Sequence, residues 1–176
     1  MTTTKLITLA LATAGTLFLN GCKNEPSEAC VQLEKADAQL KANLEMYEAT
    51  WDVIINEGKL EEINENNFDA GITLVASPEN VVGIDAFKAY YSNFVTGFSE
   101  VSFTIVDIFG QGDKIVKHWN FKGVHSGEFF GIPATGNKVD ISGVTLVQMK
   151  DGKIAREQDF MDNLEFYQQL GLIPRE

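Results

Sequence analysis

The hydrophobic period of this chain changes once, near residue 101, and does not change back. Upstream, apolar residues recur at steps of three and four, as on one face of a helix; downstream they recur at steps of two, as on one face of a strand. Leu33, Ala36, Leu40, Leu44, Tyr47, Trp51 and Ile54 form one stripe, which predicts a long first helix stopped by Gly58-Lys59. A short helix over 60–66 and a brief strand over 72–76 follow. Phe87, Tyr90, Tyr91, Phe94 and Phe98 then predict a second long helix with an aromatic face. Runs at 101–109, 114–124, 139–149 and 153–161, parted by glycine-rich turns, predict four strands of an antiparallel sheet. Helices first and strands afterwards define an α+β domain, with a sheet packed on N-terminal helices.

The 176 residues suffice for one such domain. Its start is marked by a segment of another kind. After a single charge, Lys5, an apolar run over 6–19 leads into Leu19-Asn20-Gly21-Cys22, the pattern of a secretory signal rather than of a fold element. The run is too short to span a bilayer comfortably. Leu19 to Cys22 resembles a bacterial lipobox, in which the signal is cut before the cysteine and the cysteine is acylated. The expected organisation is therefore a signal peptide at 1–21, a lipidated tether at 22–32 and a domain at 33–176. It implies a lipid-anchored protein of the bacterial envelope. Lys23, rather than aspartate, follows the cysteine and points to the outer membrane if the source is Gram-negative. Cys30 is left as a lone thiol without a role.

Charge and motifs narrow the function classes. Lys+Arg 14 against Asp+Glu 25 gives a net charge of -11, which repels a phosphate backbone and excludes nucleic acid as a partner. There is no glycine-rich phosphate loop, dinucleotide fingerprint, HExxH helix or nucleophile elbow. With His118 and His125 the only histidines, neither a metal site nor a cofactor is expected.

The last hairpin carries the candidate chemistry, and its turn Lys150-Asp151-Gly152 allows two registers. A two-residue turn pairs Met149 with Ile154 and sets Asp159 opposite Val144. A three-residue loop pairs Thr145 with Glu157 and Gly143 with Asp159. The second sorts the residues better: Val139, Ile141, Gly143, Thr145, Val147, Met149, Ala155, Glu157, Asp159 and Met161 share one face, so it is preferred. In either register Glu157 and Asp159 share a side of one strand. Burial and a like-charged neighbour both disfavour ionisation, so this reading expects a raised pKa at Asp159, with Glu157 one pleat away and room for a ligand beside Gly143.

Gly123-x-His125-x-Gly127-x-x-x-Gly131-x-Pro133-x-Thr135-Gly136-x-x-Val139, then Asp151-Gly152-Lys153-Ile154 with Asp159 five residues on, then Gln169-Leu170-Gly171-Leu172, resembles the SnoaL-like family. That family comprises polyketide and ester cyclases of the NTF2-like superfamily, and the resemblance runs from Leu33 to Ile173. It implies a conical α+β barrel, with a curved antiparallel sheet around the first helix, a pocket between them and dimerisation through the outer sheet face. It also implies that Asp159 is a general acid/base working without cofactor or metal, and that His125 can donate to a substrate oxygen or else hold the following loop. Thr145 stands where some of these cyclases carry a histidine, and Arg156 and Gln158 stand where many relatives have Glu and Trp.

Two functions follow. The one placed first is a lipid-tethered module that holds a small hydrophobic molecule, unchanged, in a pocket drawn from Tyr47, Trp51, Phe94, Trp119 and Thr145. The alternative is a cyclase, isomerase or hydrolase-type enzyme using Asp159, with Glu157 and His125. Apolar Val144, Leu146 and Phe160 on the outer sheet face suit a homodimer.

Overall fold

The structure, a computed structural model, describes residues 27–175. The elements run α1 (Glu28–Asn56), a 3-10 turn (Leu60–Glu62), β1 (Phe68–Leu74), β2 (Val81–Val82), α2 (Ile84–Gly97), β3 (Phe98–Gln111), β4 (Lys114–His125), β5 (Lys138–Lys150), β6 (Lys153–Met161) and α3 (Asn163–Gln169). Residues 1–21, Cys22 and the first part of the tether lie outside the described residues. The helix itself begins at Glu28, capped by the Ser27 hydroxyl accepting from the Cys30 amide, so residues 28–32 of the expected tether are helical. Its apolar stripe runs past the body of the protein at the N-terminal end. Leu33 is 67% exposed, whereas Tyr47, Trp51 and Ile54 are buried.

The expected short helix at 60–66 is reduced to one turn. Asn64 donates through its amide to the Glu61 carbonyl and accepts from the Asn66 amide, and such local bonds compete with helix continuation. The strand predicted at 72–76 starts earlier, at Phe68, while β2 and α3 were not anticipated.

The sheet has six strands in the order β2-β1-β6-β5-β4-β3. It is mixed, not antiparallel, because β1 runs parallel to β6. Its end strands β2 and β3 do not pair with each other, so the curved sheet stays open where the resemblance implied a barrel. Register shifts in β3, between Ser99 and Ser102 and between Ile105 and Asp107, are bulges of the kind that bend a strand. Helix α1 lies against β3, and Asn56 joins them: its side chain donates to the Phe103 carbonyl (2.9 Å) and accepts from the Phe103 amide (2.7 Å). Trp51 of α1 packs on Phe87 and Tyr91 of α2, with Phe68 closing the cluster from β1.

The final hairpin opens in the two-residue register, which was not the preferred one, and then leaves it. Asp151 and Gly152 both have positive φ and form a two-residue turn pairing Lys150 with Lys153 and Met149 with Ile154. Ala155 then bulges, so Gln148 pairs with Arg156, Thr145 with Asp159 and Gly143 with Met161. The extra residue switches which alternate positions face inward, which is how Ile154 and Glu157 are both fully buried. Glu157, Asp159 and Met161 share the inner face as expected, but Ala155 does not lead them.

Candidate functional site

Three rungs of the inner sheet face form the floor of the site. Ile115, Val147 and Glu157 lie side by side on β4, β5 and β6; so do Lys117, Thr145 and Asp159, and so do Trp119, Gly143 and Met161. Helices α1 and α2 supply the roof, with Tyr47 and Trp51 four residues apart on one and Tyr90, Tyr91 and Phe94 on the other. Between them is a narrow cavity of about 70 Å³ that opens to solvent at its mouth. Trp51, Tyr91, Phe94, Trp119 and Met161 give it apolar walls, and Lys117 and Asp159 are the charged groups that line it. Tyr90, Phe94, Asp159 and Met161 also line a wider groove with Phe130 and Tyr167, so Asp159 stands where cavity and groove meet.

Asp159 is held from two sides. The Trp119 indole N–H donates to the Thr145 hydroxyl (3.0 Å), which donates to Asp159 Oδ1 (2.5 Å). The Tyr91 hydroxyl lies 3.1 Å from Asp159 Oδ2 and 3.4 Å from Glu157 Oε2, and with one proton it donates to one carboxyl at a time. Glu157 is fully buried behind the cavity wall, where its Oε1 accepts from the Tyr47 hydroxyl and from the Trp51 indole (3.1 Å). Burial pushes its pKa up to about 7; the Lys117 charge opposes the rise and Asp159 adds to it. Burial likewise holds the Tyr47 and Tyr91 hydroxyls well above the usual tyrosine range, so both remain donors. Burial thus raises the pKa of Glu157, one of the two carboxyls that the sequence places on this face.

Lys117 was not singled out from sequence. It is 4% exposed, with its Nζ 4.7 Å from the Trp51 ring centre, 5.2 Å from that of Tyr47 and 5.4 Å from that of Phe103. Burial lowers its pKa, an effect that Glu157 and Asp159 oppose. Among the described residues it forms no ion pair and donates no hydrogen bond to a protein acceptor.

Of the expected site residues, Asp159, Trp51, Phe94 and Trp119 line the cavity, while Tyr47, Thr145 and Glu157 form a buried layer behind it. Two expectations are corrected. The space over Gly143 is filled by the Trp119 ring, into which a Cβ would run, and not by room for a ligand. His125 does not reach the cavity: it is fully buried against Phe98 and Phe129, and its Nδ1 meets the Thr135 hydroxyl (3.1 Å) and amide (3.3 Å). Burial lowers its pKa. With its backbone bonded to Asn137 and Gly136, His125 holds the loop between β4 and β5.

The family model of the SnoaL-like polyketide cyclases matches residues 41–170. The chain belongs to this family. Solved structures share its fold. A SnoaL-like protein from Jannaschia sp. CCS1 is 23% identical with a TM-score of 0.65, over 76% of this chain and 94% of that one. TsrD from Streptomyces laurentii is 25% identical with a TM-score of 0.65, over 77% and 97%. A polyketide-cyclase-like protein from Bacillus cereus is 26% identical with a TM-score of 0.61, over 80% and 85%. No curated protein matches the chain.

Proposed function

We propose that this SnoaL-like domain is an enzyme that moves a proton at the carbon beside a carbonyl group of a small, largely apolar compound, with Asp159 as the general acid/base. The observation that carries this reading is the setting of Asp159: a carboxyl fixed by Thr145 and Tyr91 at the edge of an apolar cavity, its rotamer chosen by donors rather than by solvent. A pocket that only stores a hydrophobic molecule gains nothing from buried ionisable groups, and burying them costs free energy unless they are paired. This ordering reverses the one suggested by sequence. Glu157, titrating near neutrality and sharing the Tyr91 hydroxyl with Asp159, supplies a second position for the proton between turnovers. The family's description as polyketide cyclases supports carbonyl-rich substrates.

The test needs no natural substrate. 2-Tetralone, flat and apolar with acidic C–H bonds beside its carbonyl, is incubated with the protein in D₂O and its hydrogen exchange followed by NMR. Exchange above buffer is expected, reduced about a hundredfold or more by Asp159→Asn while tetralone binding survives. Exchange no faster than in buffer, or unchanged by the substitution, leaves the cavity as a carrier site.

The chain is further proposed to be anchored in the bacterial envelope through acylated Cys22, on the strength of Leu19-Asn20-Gly21-Cys22. Pairing of two copies through the outer sheet face is supported by Leu146 and Phe160, which are 46% and 51% exposed.

A further inference from the structure

The Lys117 ammonium is enclosed by three aromatic rings and faces the cavity, yet its donors have no protein acceptor among the described residues. Aromatic faces offset part of the cost of burying a cation but accept no conventional hydrogen bond. A buried ammonium is therefore aimed into a ligand site with its directional bonding unspent. Its place is also defined relative to Asp159. The two flank Thr145 on one rung of the sheet, and at the usual strand spacing their backbones are roughly 10 Å apart. Their side chains can thus reach opposite ends of one small carbonyl unit.

We propose that Lys117 holds the anionic oxygen of the bound compound, so that the cavity selects flat carbonyl compounds able to form an enolate. The inference rests on reading this cavity as the site of proton transfer. In the step it describes, the C–H bond beside the carbonyl breaks and its proton passes to an Asp159 carboxylate oxygen. The C–H electron pair becomes a C=C bond, and the carbonyl π pair moves onto oxygen, which then accepts from Lys117. Negative charge passes from Asp159 to the substrate oxygen and the net charge of the site is unchanged, so no ion crosses to solvent. Return of the proton, or attack of the enolate carbon on a second carbonyl, discharges the same oxygen. Among the described residues, no other cationic side chain lines this cavity.

2-Naphtholate has the shape of the 2-tetralone enolate and an absorption spectrum distinct from that of 2-naphthol. The probe is titrated with pH while bound to the Asp159→Asn protein, in which residue 159 is uncharged as it is after proton transfer. Bound naphthol should ionise at least about one pH unit below free naphthol, as expected beside an opposite charge. Adding Lys117→Met should abolish the shift, and Lys117→Gln, which keeps a donor without the charge, should retain only a minor part of it. A bound probe that ionises like the free one, or a probe that does not bind, overturns the proposal without any Lys117 variant, so misfolding of those variants cannot hide the answer. Persistence of the shift in folded Lys117→Met protein also overturns it. Naphthol ionisation does not depend on turnover. A shift without tetralone exchange would refute the enzyme and leave the anion site, while exchange without a shift would do the reverse.

Discussion

Replacing Glu157 by Gln isolates the free-energy cost of one buried carboxyl. The folded pKa is raised from 4.5 to about 7, chiefly by burial. Below 4.5 the group is protonated in both the folded and unfolded chain and costs nothing. Between 4.5 and 7 the unfolded chain ionises while the folded one does not, so the native state binds more protons and stability falls as pH rises. Above 7 both forms are ionised and the cost is constant. At about 1.4 kcal/mol per pH unit, that plateau is about 3 kcal/mol, most of which develops between about pH 5 and pH 8.5.

Glutamine fits the same place. Its carbonyl oxygen can accept from both Tyr47 and Trp51, as Oε1 does, and its NH₂ faces the Tyr91 hydroxyl oxygen. Urea unfolding of both proteins across this pH range, with the difference between them plotted, cancels the titration of all other groups. The expected difference grows by about 2–3 kcal/mol in favour of Gln as pH rises. Parallel profiles would refute the reasoning, since they would mean that Lys117 already offsets the ionised carboxylate in full. A difference of the opposite sign would mean that Tyr47 and Trp51 favour the carboxylate by more than burial opposes it.

Gly143→Ala places a Cβ in the Trp119 ring and 2.8 Å from the Phe160 carbonyl oxygen; a loss of about 1–3 kcal/mol in denaturant unfolding is expected, with altered tryptophan fluorescence as the ring leaves Thr145. A Gly143→Ala protein as stable as the parent would show that Trp119 moves freely. Cys22→Ala should leave the full-length precursor uncut or release the domain from detergent phase, and a variant that partitions like the parent would exclude lipidation at this residue. The domain cut near Glu28 should sediment as a dimer at micromolar concentration and become monomeric on Leu146→Lys with Phe160→Lys; an unsubstituted domain that is monomeric there would end the pairing proposal.

Elements that depend on neighbours in sequence were legible, and pairings that depend on distant segments were not. The 153–161 strand matches its predicted bounds, and β4 and β5 match within one residue at each end, because alternation in a half-buried strand is a local signal. The parallel partnership of β1 with β6 joins residues as far apart as Phe68 and Ile154 and leaves no local trace. Neither does the bulge at Ala155. Two periodic runs with an Asp-Gly turn between them define a register only while the period is unbroken, and one extra residue moves everything beyond it by a position. The inner-face placement of Glu157, Asp159 and Met161 was nonetheless right, because both the preferred register and the bulged one bring those three odd-numbered positions inward.

The inward position of Lys117 is legible in the parity of its strand. Ile115, Trp119 and Phe121 alternate with outward residues along β4, and the position between Ile115 and Trp119 on the same face is a lysine. Attention to carboxylates found one half of the site, since a lysine in a strand reads as a solvated residue unless its parity is counted. An inward lysine at the centre of an apolar strand would cost several kcal/mol as an isolated buried charge, so its presence implies something nearby to offset it. Here the offset comes from two carboxyls, three ring faces and a cavity able to admit an acceptor. In the proposed reaction Asp159 alone would make the cavity a place to accept a proton, and Lys117 across the same rung would let the resulting anion stay. The proposed reaction rests on the pair rather than on either residue, and the pair is a consequence of which positions of β4, β5 and β6 fall side by side.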